Sequence, residues 1–256
     1  MKSEKKTAIV TGSASGVGAA TCIELARRGW NVVINYSRSE KEAHETAEKC
    51  KAFTEGVMII KADVSQDDQG IAMVKETIDK WGRIDALVNN AGTTKYCNYH
   101  DLDGLSKEDF LKLYEVNVVG AYQVTRAAAP YLKAAKGSVV NTSSISAISG
   151  VGSSIAYAAS KGALSTMTLS LAHALAPDVR VNAVCPGFIQ GRWTKNFLGD
   201  RYDQVLQDIE KTTLTQKTSE PADIAKAIVY LAADASTTTG QLLTVDSGQL
   251  VNQNIL

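Results

Sequence analysis

The chain has 256 residues, enough for one large α/β domain or two small ones. Lys plus Arg and Asp plus Glu both number 27, so the formal charge is zero, a balance that offers no electrostatic attraction to nucleic acid or to an anionic membrane. The hydrophobic fraction of 45% with 21% charged residues is that of a globular protein, and no apolar run approaches the ~20 residues that a membrane helix requires.

Cys22, Cys50, Cys97 and Cys185 are widely spaced and read as reduced thiols of a cytoplasmic protein. His44, His100 and His173 lack metal-ligand spacing, so no metal site is predicted, although His100 falls in a loop that is a candidate border of a substrate site. Met1 to Lys6 leads into a strand-like segment with no apolar signal region. With no internal repeat, low-complexity stretch or linker, 1–256 reads as a single domain.

Thr7-Ala8-Ile9-Val10 is a short apolar run that stops at Thr11-Gly12-Ser13-Ala14-Ser15-Gly16-Val17-Gly18, and an amphipathic stretch follows from Val17 to about Arg28. Strand, glycine turn and helix in succession place a pyrophosphate on a helix N-terminus. In that reading Gly12 permits the tight turn, Gly16 close backbone approach and Gly18 close packing, with Ser13, Ser15 and Val17 as further cofactor contacts. The bare alternative is a glycine-rich turn and nothing more. Asn31–Tyr36 is the second predicted strand, and Ser39 with Glu42 spells a capping box for a helix to about Phe53.

The end of such a strand meets the adenosine ribose, where an acid bonds the hydroxyls and an arginine accommodates a 2′-phosphate. Residues 35–38 hold no carboxylate, so Tyr36, Ser37 and Arg38 favour NADP(H), with NAD(H) possible; otherwise Arg38 is a solvated loop cation. Val57–Ile60 is the third strand, ending at Asp63-Val64, where Asp63 is either an acceptor for the adenine amino group or a turn residue. Ser65 to Asp68 opens a helix to Trp81-Gly82, and Ala86–Val88 is the fourth strand. Asn89-Asn90-Ala91-Gly92 directly after it suggests backbone held close to a ligand, side chains tying strands together, or both.

A polar loop over 93–105 carries Tyr96, Tyr99 and His100. From about Ser106 a helical stretch runs to Ala135, as one helix or two, with Asn117 among Val116, Val118 and Val119. An unsatisfied amide there would cost roughly 1–3 kcal/mol, so a partner is expected. Ser138–Thr142 is the fifth strand, with Ser143-Ser144 at its carboxyl end, the side on which open parallel sheets bind ligands. The next helix, about Ser154 to Ala176 and stopped by Pro177, puts Tyr157 and Lys161 one turn apart on one face. A phenol has a reference pKa of about 10, and a nearby ammonium favours the phenolate, so such a tyrosine can give a proton to a carbonyl oxygen or take one from an alcohol. Ser144 is placed to hold the same oxygen, and the bland alternative is two amphipathic residues on a half-buried helix.

Val179–Val184 is the sixth strand, ending at Cys185-Pro186-Gly187. The segment 188–217 is long, polar and interrupted, carries Trp193, Phe197 and Tyr202 with a helical patch near Asp200–Lys211, and reads as a substrate lid. Ser219-Glu220-Pro221 starts a helix through Tyr230 and Leu231, Leu242–Val245 is the last strand, and an unpatterned tail follows from Asp246.

Thr11-Gly12-x-x-x-Gly16-x-Gly18, Asp63-Val64, Asn89-Asn90-Ala91-Gly92, Asn117, Ser144, Tyr157-x-x-x-Lys161 and Pro186-Gly187 follow one another over nearly the whole chain. In that order they resemble the short-chain dehydrogenase/reductase family, and in length and motif set the chain is similar to its 3-oxoacyl-carrier-protein reductase and glucose dehydrogenase branches. The resemblance implies an α/β fold, a Rossmann-like doubly wound parallel sheet of about seven strands flanked by helices, commonly as a homotetramer. It implies an NAD(P)(H)-dependent oxidoreductase interconverting a ketone and a secondary alcohol. Tyr157 would be the acid in reduction and the base in oxidation, and Lys161 would lower its pKa and bond the nicotinamide ribose. Ser144 would hold the substrate oxygen, and Asn117 would anchor a relay water through its backbone carbonyl. Gly187 and Ile189 would lie beside the nicotinamide, with Asp63, Val64, Asn90, Ala91, Gly92 and Pro186 completing the cofactor contacts.

Three positions depart from the family pattern. Gly191 stands where a threonine often holds the carboxamide, with Thr194 nearest; Ser15 stands where NADP-preferring members often have a basic residue; and Asp246-Ser247-Gly248 replaces Asp-Gly-Gly, which bears on a subunit contact. An acyl thioester reductase and a sugar, polyol or small-ketone dehydrogenase are both open readings. Arg192, Lys195 and Arg201 would suit an acidic acyl carrier, with Asp200 and Asp203 among them. From another class, a non-catalytic dinucleotide sensor would usually have lost the tyrosine or lysine.

Overall fold

Apolar runs bounded by glycines and polar stops become seven strands: β1 (Thr7–Val10), β2 (Asn31–Tyr36), β3 (Val57–Lys61), β4 (Ala86–Asn89), β5 (Ser138–Thr142), β6 (Arg180–Pro186) and β7 (Leu242–Val245). In the computed structural model, which describes residues 4–252, they form one parallel sheet in the order β3-β2-β1-β4-β5-β6-β7. Met1 to Ser3 and residues 253–256, part of the predicted N-terminal and tail readings, lie outside the described residues. Parallel neighbours need crossover connections, supplied here by α1 (Gly16–Arg27), α2 (Glu40–Lys51), α3 (Asp67–Trp81), α4 (Lys107–Tyr114), α5 (Ala121–Ala135), α6 (Ser146–Ser149), α7 (Ile155–Leu175), α8 (Arg192–Leu198), α9 (Tyr202–Thr212) and α10 (Pro221–Val229).

The pleat sends neighbouring side chains to opposite faces, and both faces are covered. Val10 and Ile34 pack with Leu25, Ile224 and Ile228 on the α1, α2 and α10 side, whereas Ile9 and Leu87 pack with Met73, Leu132 and Leu171 on the α3, α5 and α7 side. Each fully buried Leu or Ile contributes roughly 1.5–3 kcal/mol, so the two layers hold the sheet as a rigid platform. Strand order reverses between β1 and β4, which opens a crevice at their carboxyl ends. The fold is thus the doubly wound α/β sheet expected.

One local reading is resolved and several are corrected. The stretch from Ser106 to Ala135 is α4 and α5 joined by a π-helical turn, Glu115–Gly120, that carries Asn117. The Ser39–Glu42 capping box does not form: Ser39 makes no capping bond, and the Glu42 carboxylate pairs with Arg192 instead. Reciprocal boxes form at Ser106–Asp109 and Glu220–Asp223. Helices α6 and α8 were not anticipated, and β6 extends to Pro186, where pairing with β7 continues. The tail is patterned, because Asp246 accepts from Gly248 N at 2.9 Å and from Leu250 N at 2.8 Å and folds the chain back. Among the described residues no helix is long and apolar enough to cross a membrane, and no cluster of His, Cys, Asp or Glu is placed to hold a metal ion. All four cysteines are buried free thiols.

Candidate active site

Polar side chains stitch the strand ends that carry the site. Asn35 Oδ1 accepts from Gly12 N at 3.0 Å, while its Nδ2 donates to Ala62 O at 3.0 Å and Ile60 O at 3.3 Å. Asn90 Nδ2 donates to Thr11 O and Gly12 O, both at 3.0 Å, and Thr11 Oγ1 accepts from Asn90 N and Ala91 N. Gly12 is required twice over: its φ is +60°, and a Cβ there would lie 2.7 Å from Ala91 Cα. Gly16 also has φ +60°, but a Cβ on it would meet nothing within 4 Å. The turn is closed on the sheet side and open on the ligand side. Asn89 Nδ2 bonds Thr125 Oγ1 and Asn141 Oδ1, and Asn141 Nδ2 bonds Thr168 Oγ1, each at 2.9 Å, so β4, β5, α5 and α7 are tied behind the site.

Helix α7 begins where Ser154 Oγ accepts from Tyr157 N at 3.2 Å, which sets the register of Tyr157 and Lys161. Lys161 Nζ donates to Thr142 O at 2.8 Å, and Ser143 Oγ donates to Lys161 O at 3.1 Å. Lys161 is only 3% exposed, and burial away from any carboxylate lowers its pKa to about 8. Burial also pushes the Tyr157 phenol up to about 12, against a smaller lowering from its hydrogen bond with Ser144. The expected depression of the phenol by Lys161 is therefore reversed. Desolvation dominates, and the ammonium lies 5.8 Å from the ring centre with its bond directed at Thr142. Ser144 Oγ donates to Ser146 Oγ and accepts from Ser146 N, both at 3.1 Å.

Asn117 finds the partners its burial demands. Its Oδ1 accepts from Thr93 N at 2.8 Å, and its Nδ2 donates to Thr93 O and Ser160 Oγ at 3.0 Å. The loop it anchors is also pinned by Cys97 N to Ser153 O at 2.9 Å and by Tyr99 OH to Gly150 O at 2.9 Å. His100 is exposed and absent from the wall of the cavity, which removes it as a border of the site.

A cavity of about 610 Å³ runs along the carboxyl edge of the sheet. Gly12, Ser15, Gly16, Val17, Ser37, Arg38, Asp63, Val64, Asn90, Ala91, Gly92, Ser144, Tyr157, Lys161, Pro186, Gly187 and Ile189 all line it. Ser13, Gly18, Tyr36 and Asn117 do not. Ser13 Oγ donates to Val10 O at 2.6 Å and accepts from Asn35 N, and a Cβ on Gly18 would strike Asn90 Nδ2 at 2.6 Å. Tyr36 and Asn117 are buried behind the wall. Asp63 Oδ1 accepts from Ser65 N and Ser65 Oγ, so it is a turn residue as well as part of the lining. The open rim at Gly16, with Arg38 at one end and Tyr157 and Lys161 at the other, fits an extended dinucleotide. A second hollow, of about 320 Å³, lies near Trp30, Asp85 and Arg180 and contains none of these residues.

The 188–217 segment forms much of the remaining wall. A Cβ at Gly92 would sit 3.6 Å from both Lys161 Nζ and Trp193 Cη2, so the indole and the lysine both border the space above Gly92. Phe188, Phe197, Val205 and Ile209 add apolar surface, and Gln249 from the tail accepts from Phe188 N at 3.2 Å. The four-residue spacing of Val205 and Ile209 was a legible signal; nothing in the sequence marked Gln249. Thr194 Oγ1 turns back to Ile189 O and Gly191 O, both at 2.9 Å. Arg192 leaves the segment to reach Glu42 and Ser15.

The profile of the family described as Enoyl-(Acyl carrier protein) reductase matches residues 12–249. The chain is 39% identical over 246 residues to a candidate ketoacyl reductase of the granaticin polyketide synthase of Streptomyces violaceoruber, covering 96% of each. It is 33% identical over 253 residues to versicolorin reductase 1 of Dothistroma septosporum, covering 95% of each. It is 32% identical over 246 residues to a 3-oxoacyl-acyl-carrier-protein reductase of Staphylococcus epidermidis, covering 95% of this chain and 98% of that protein. Among solved structures, a candidate short-chain dehydrogenase/reductase from Burkholderia xenovorans matches with a TM-score of 0.91 at 38% identity, over 98% of this chain and 100% of that one.

Proposed function

The chain belongs to the short-chain dehydrogenase/reductase family, and from that premise we propose that it reduces a ketone to a secondary alcohol with NADP(H), using Tyr157 as the acid. The observation that carries the proposal is that Ser144, Tyr157 and Lys161 open on the same cavity as the glycine turn. When bound, the reduced nicotinamide supplies the hydride. Ser144 and Tyr157 hold the substrate oxygen, and the Tyr157 proton passes to it as negative charge develops. Burial keeps the phenol in its protonated, donating form at neutral pH, and its hydrogen bond with Ser144 offsets part of the rise. Lys161, fixed by Thr142 O, keeps its positive charge beside the phenolate that forms, and Asn117 holds α7 and the Thr93 loop in register. Gly12 and Gly16 admit the pyrophosphate, with Gly92, Gly187 and Ile189 toward the nicotinamide.

Arg38 lines the adenosine end and has no ion-pair or hydrogen-bond partner among the described residues, which supports NADP(H) over NAD(H). Phe188, Phe197, Val205 and Ile209 favour an acyl chain or aromatic ketone over a sugar or polyol, and the reductase relatives support a 3-oxoacyl thioester. In this reading 188–217 is a substrate lid within a single domain. Exposed Val119, Tyr122 and Leu169 support a homotetramer, and buried free thiols support a cytoplasmic setting. The test is NADPH consumption with an acetoacetyl thioester, beside NADH, plain ketones and sugars. Thioester turnover that disappears in Tyr157→Phe while NADPH still binds is the expected result. Turnover retained by that variant refutes the assignment of the acid, and turnover of sugars alone refutes the substrate class.

A further inference from the structure

Arg192 opens α8, yet its guanidinium crosses to the opposite wall of the cavity. Nη2 donates to Ser15 Oγ at 3.1 Å, and Nη1 pairs with Glu42 of α2. Neither contact is local: the partners lie 177 and 150 positions away. Arg38, free of partners among the described residues, lines the same cavity, as do Ser15 and Ser37. Ser15 does not cap α1, and Glu42 has left the capping box that its spacing to Ser39 spells. Side chains available for local duties are instead directed toward one arginine at the rim. The ion pair is half exposed, with side-chain exposures of 49% and 32%, so exchanging its carboxylate for another anion carries little penalty.

We propose that Arg192 and Arg38 together form a subsite for a phosphate monoester, and that the lid thereby reads the 2′-phosphate that separates NADP(H) from NAD(H). This rests on the dinucleotide reading of the cavity and extends it to a residue far from the glycine turn. Two planar guanidinium forks can engage the three oxygens of a monoester, whereas an unphosphorylated ribose offers them no charge. Glu42 is the internal competitor: it holds Arg192 in reach and yields it to the phosphate.

The test is fluorescence titration of NADPH and NADH into the full chain and its Arg192→Gln, Arg192→Lys and Arg38→Gln variants. Arg192→Gln should weaken NADPH about tenfold or more, the scale of a charge-assisted contact, and leave NADH nearly unchanged. Arg192→Lys should recover part of the loss, and Arg38→Gln should act in the same direction as Arg192→Gln. Equal weakening of both nucleotides would put Arg192 on the pyrophosphate or make it a tether of the lid, and overturns the subsite. Unchanged NADPH affinity also overturns it. If the parent protein binds neither nucleotide, the functional reading falls first; if it binds NADPH and Arg192→Gln makes no difference, only the subsite falls.

Discussion

Gly12 and Gly16 share a φ of +60° and differ in what a side chain would meet, so alanine at each separates folding from binding. Left-handed backbone costs an L-residue roughly 1–2 kcal/mol, offset by about 0.4–1 kcal/mol from a stiffer unfolded chain. For Gly16→Ala that is the whole effect on stability, about 1 kcal/mol, or a fall of about 2–4 °C in melting temperature for a chain of this size. Gly12→Ala adds a Cβ only 2.7 Å from Ala91 Cα, a backbone clash that cannot swing aside as a flexible side chain would. Overpacking of that kind costs about 1–3 kcal/mol, for a total near 2–4 kcal/mol and a fall of roughly 5–15 °C. Binding should rank the pair the other way, because the new methyl on Gly16 points into the cavity. Thermal denaturation followed by circular dichroism, with NADPH titration of each variant, measures both orders. The reasoning fails if Gly16→Ala melts as low as Gly12→Ala, or if it binds NADPH as tightly as the parent.

Lys161 provides a pH test. Its folded pKa of about 8 lies below its ordinary 10.5, so its charged form is disfavoured in the folded state; the stability it contributes is present above pH 10.5 and is lost as pH falls through 8. Lys161→Met should therefore abolish turnover yet melt a few degrees above the parent at pH 7, with the gap closing toward pH 10; a variant that melts lower at pH 7 contradicts this. Tyr157 adds the opposite slope only at higher pH, since its raised pKa gives stability that is lost as pH rises from 10 through about 12. Asn117→Ala strands the Thr93 backbone groups and removes a donor from Ser160 Oγ, which still donates to Tyr157 O, and should cost about 2–3 kcal/mol, or roughly 5–10 °C, together with a lower kcat. A variant that melts with the parent would show that water replaces the amide at no cost.

The strands were legible because each is a continuous apolar run between punctuating residues, and Asn31–Tyr36 matches its prediction at both ends. The glycine turn and the Tyr157–Lys161 helix were legible for a related reason: their chemistry depends on local spacing, which the sequence displays. Long-range outcomes were not. The sequence at Ser39–Glu42 spells a helix cap, and only the approach of Arg192 from the far end of the chain diverts Glu42 from it. Ser13 and Tyr36 sit within motifs predicted to face a ligand, yet Ser13 is drawn inward by its bonds with Val10 O and Asn35 N, and the pleat of β2 buries Tyr36. The direction of the Tyr157 shift depended on how much water the folded loops exclude, and neighbouring charge alone pointed the wrong way. Gln249 reaches the cavity through a turn that Asp246 folds, for which no periodic pattern exists.

The hydrogen bonds that fix Ser144, Tyr157 and Lys161 come from Thr142, Ser143, Ser146 and Ser154, and none comes from residues 188–217. In the proposed reading, proton handling and substrate shape are therefore carried by separate pieces of chain. Under the proposed function, a change of ketone can be met at Phe197, Val205 and Ile209 without touching the residues that hold Tyr157. Arg192 is the exception, and it ties whatever pocket evolves there to the cofactor end of the same cavity.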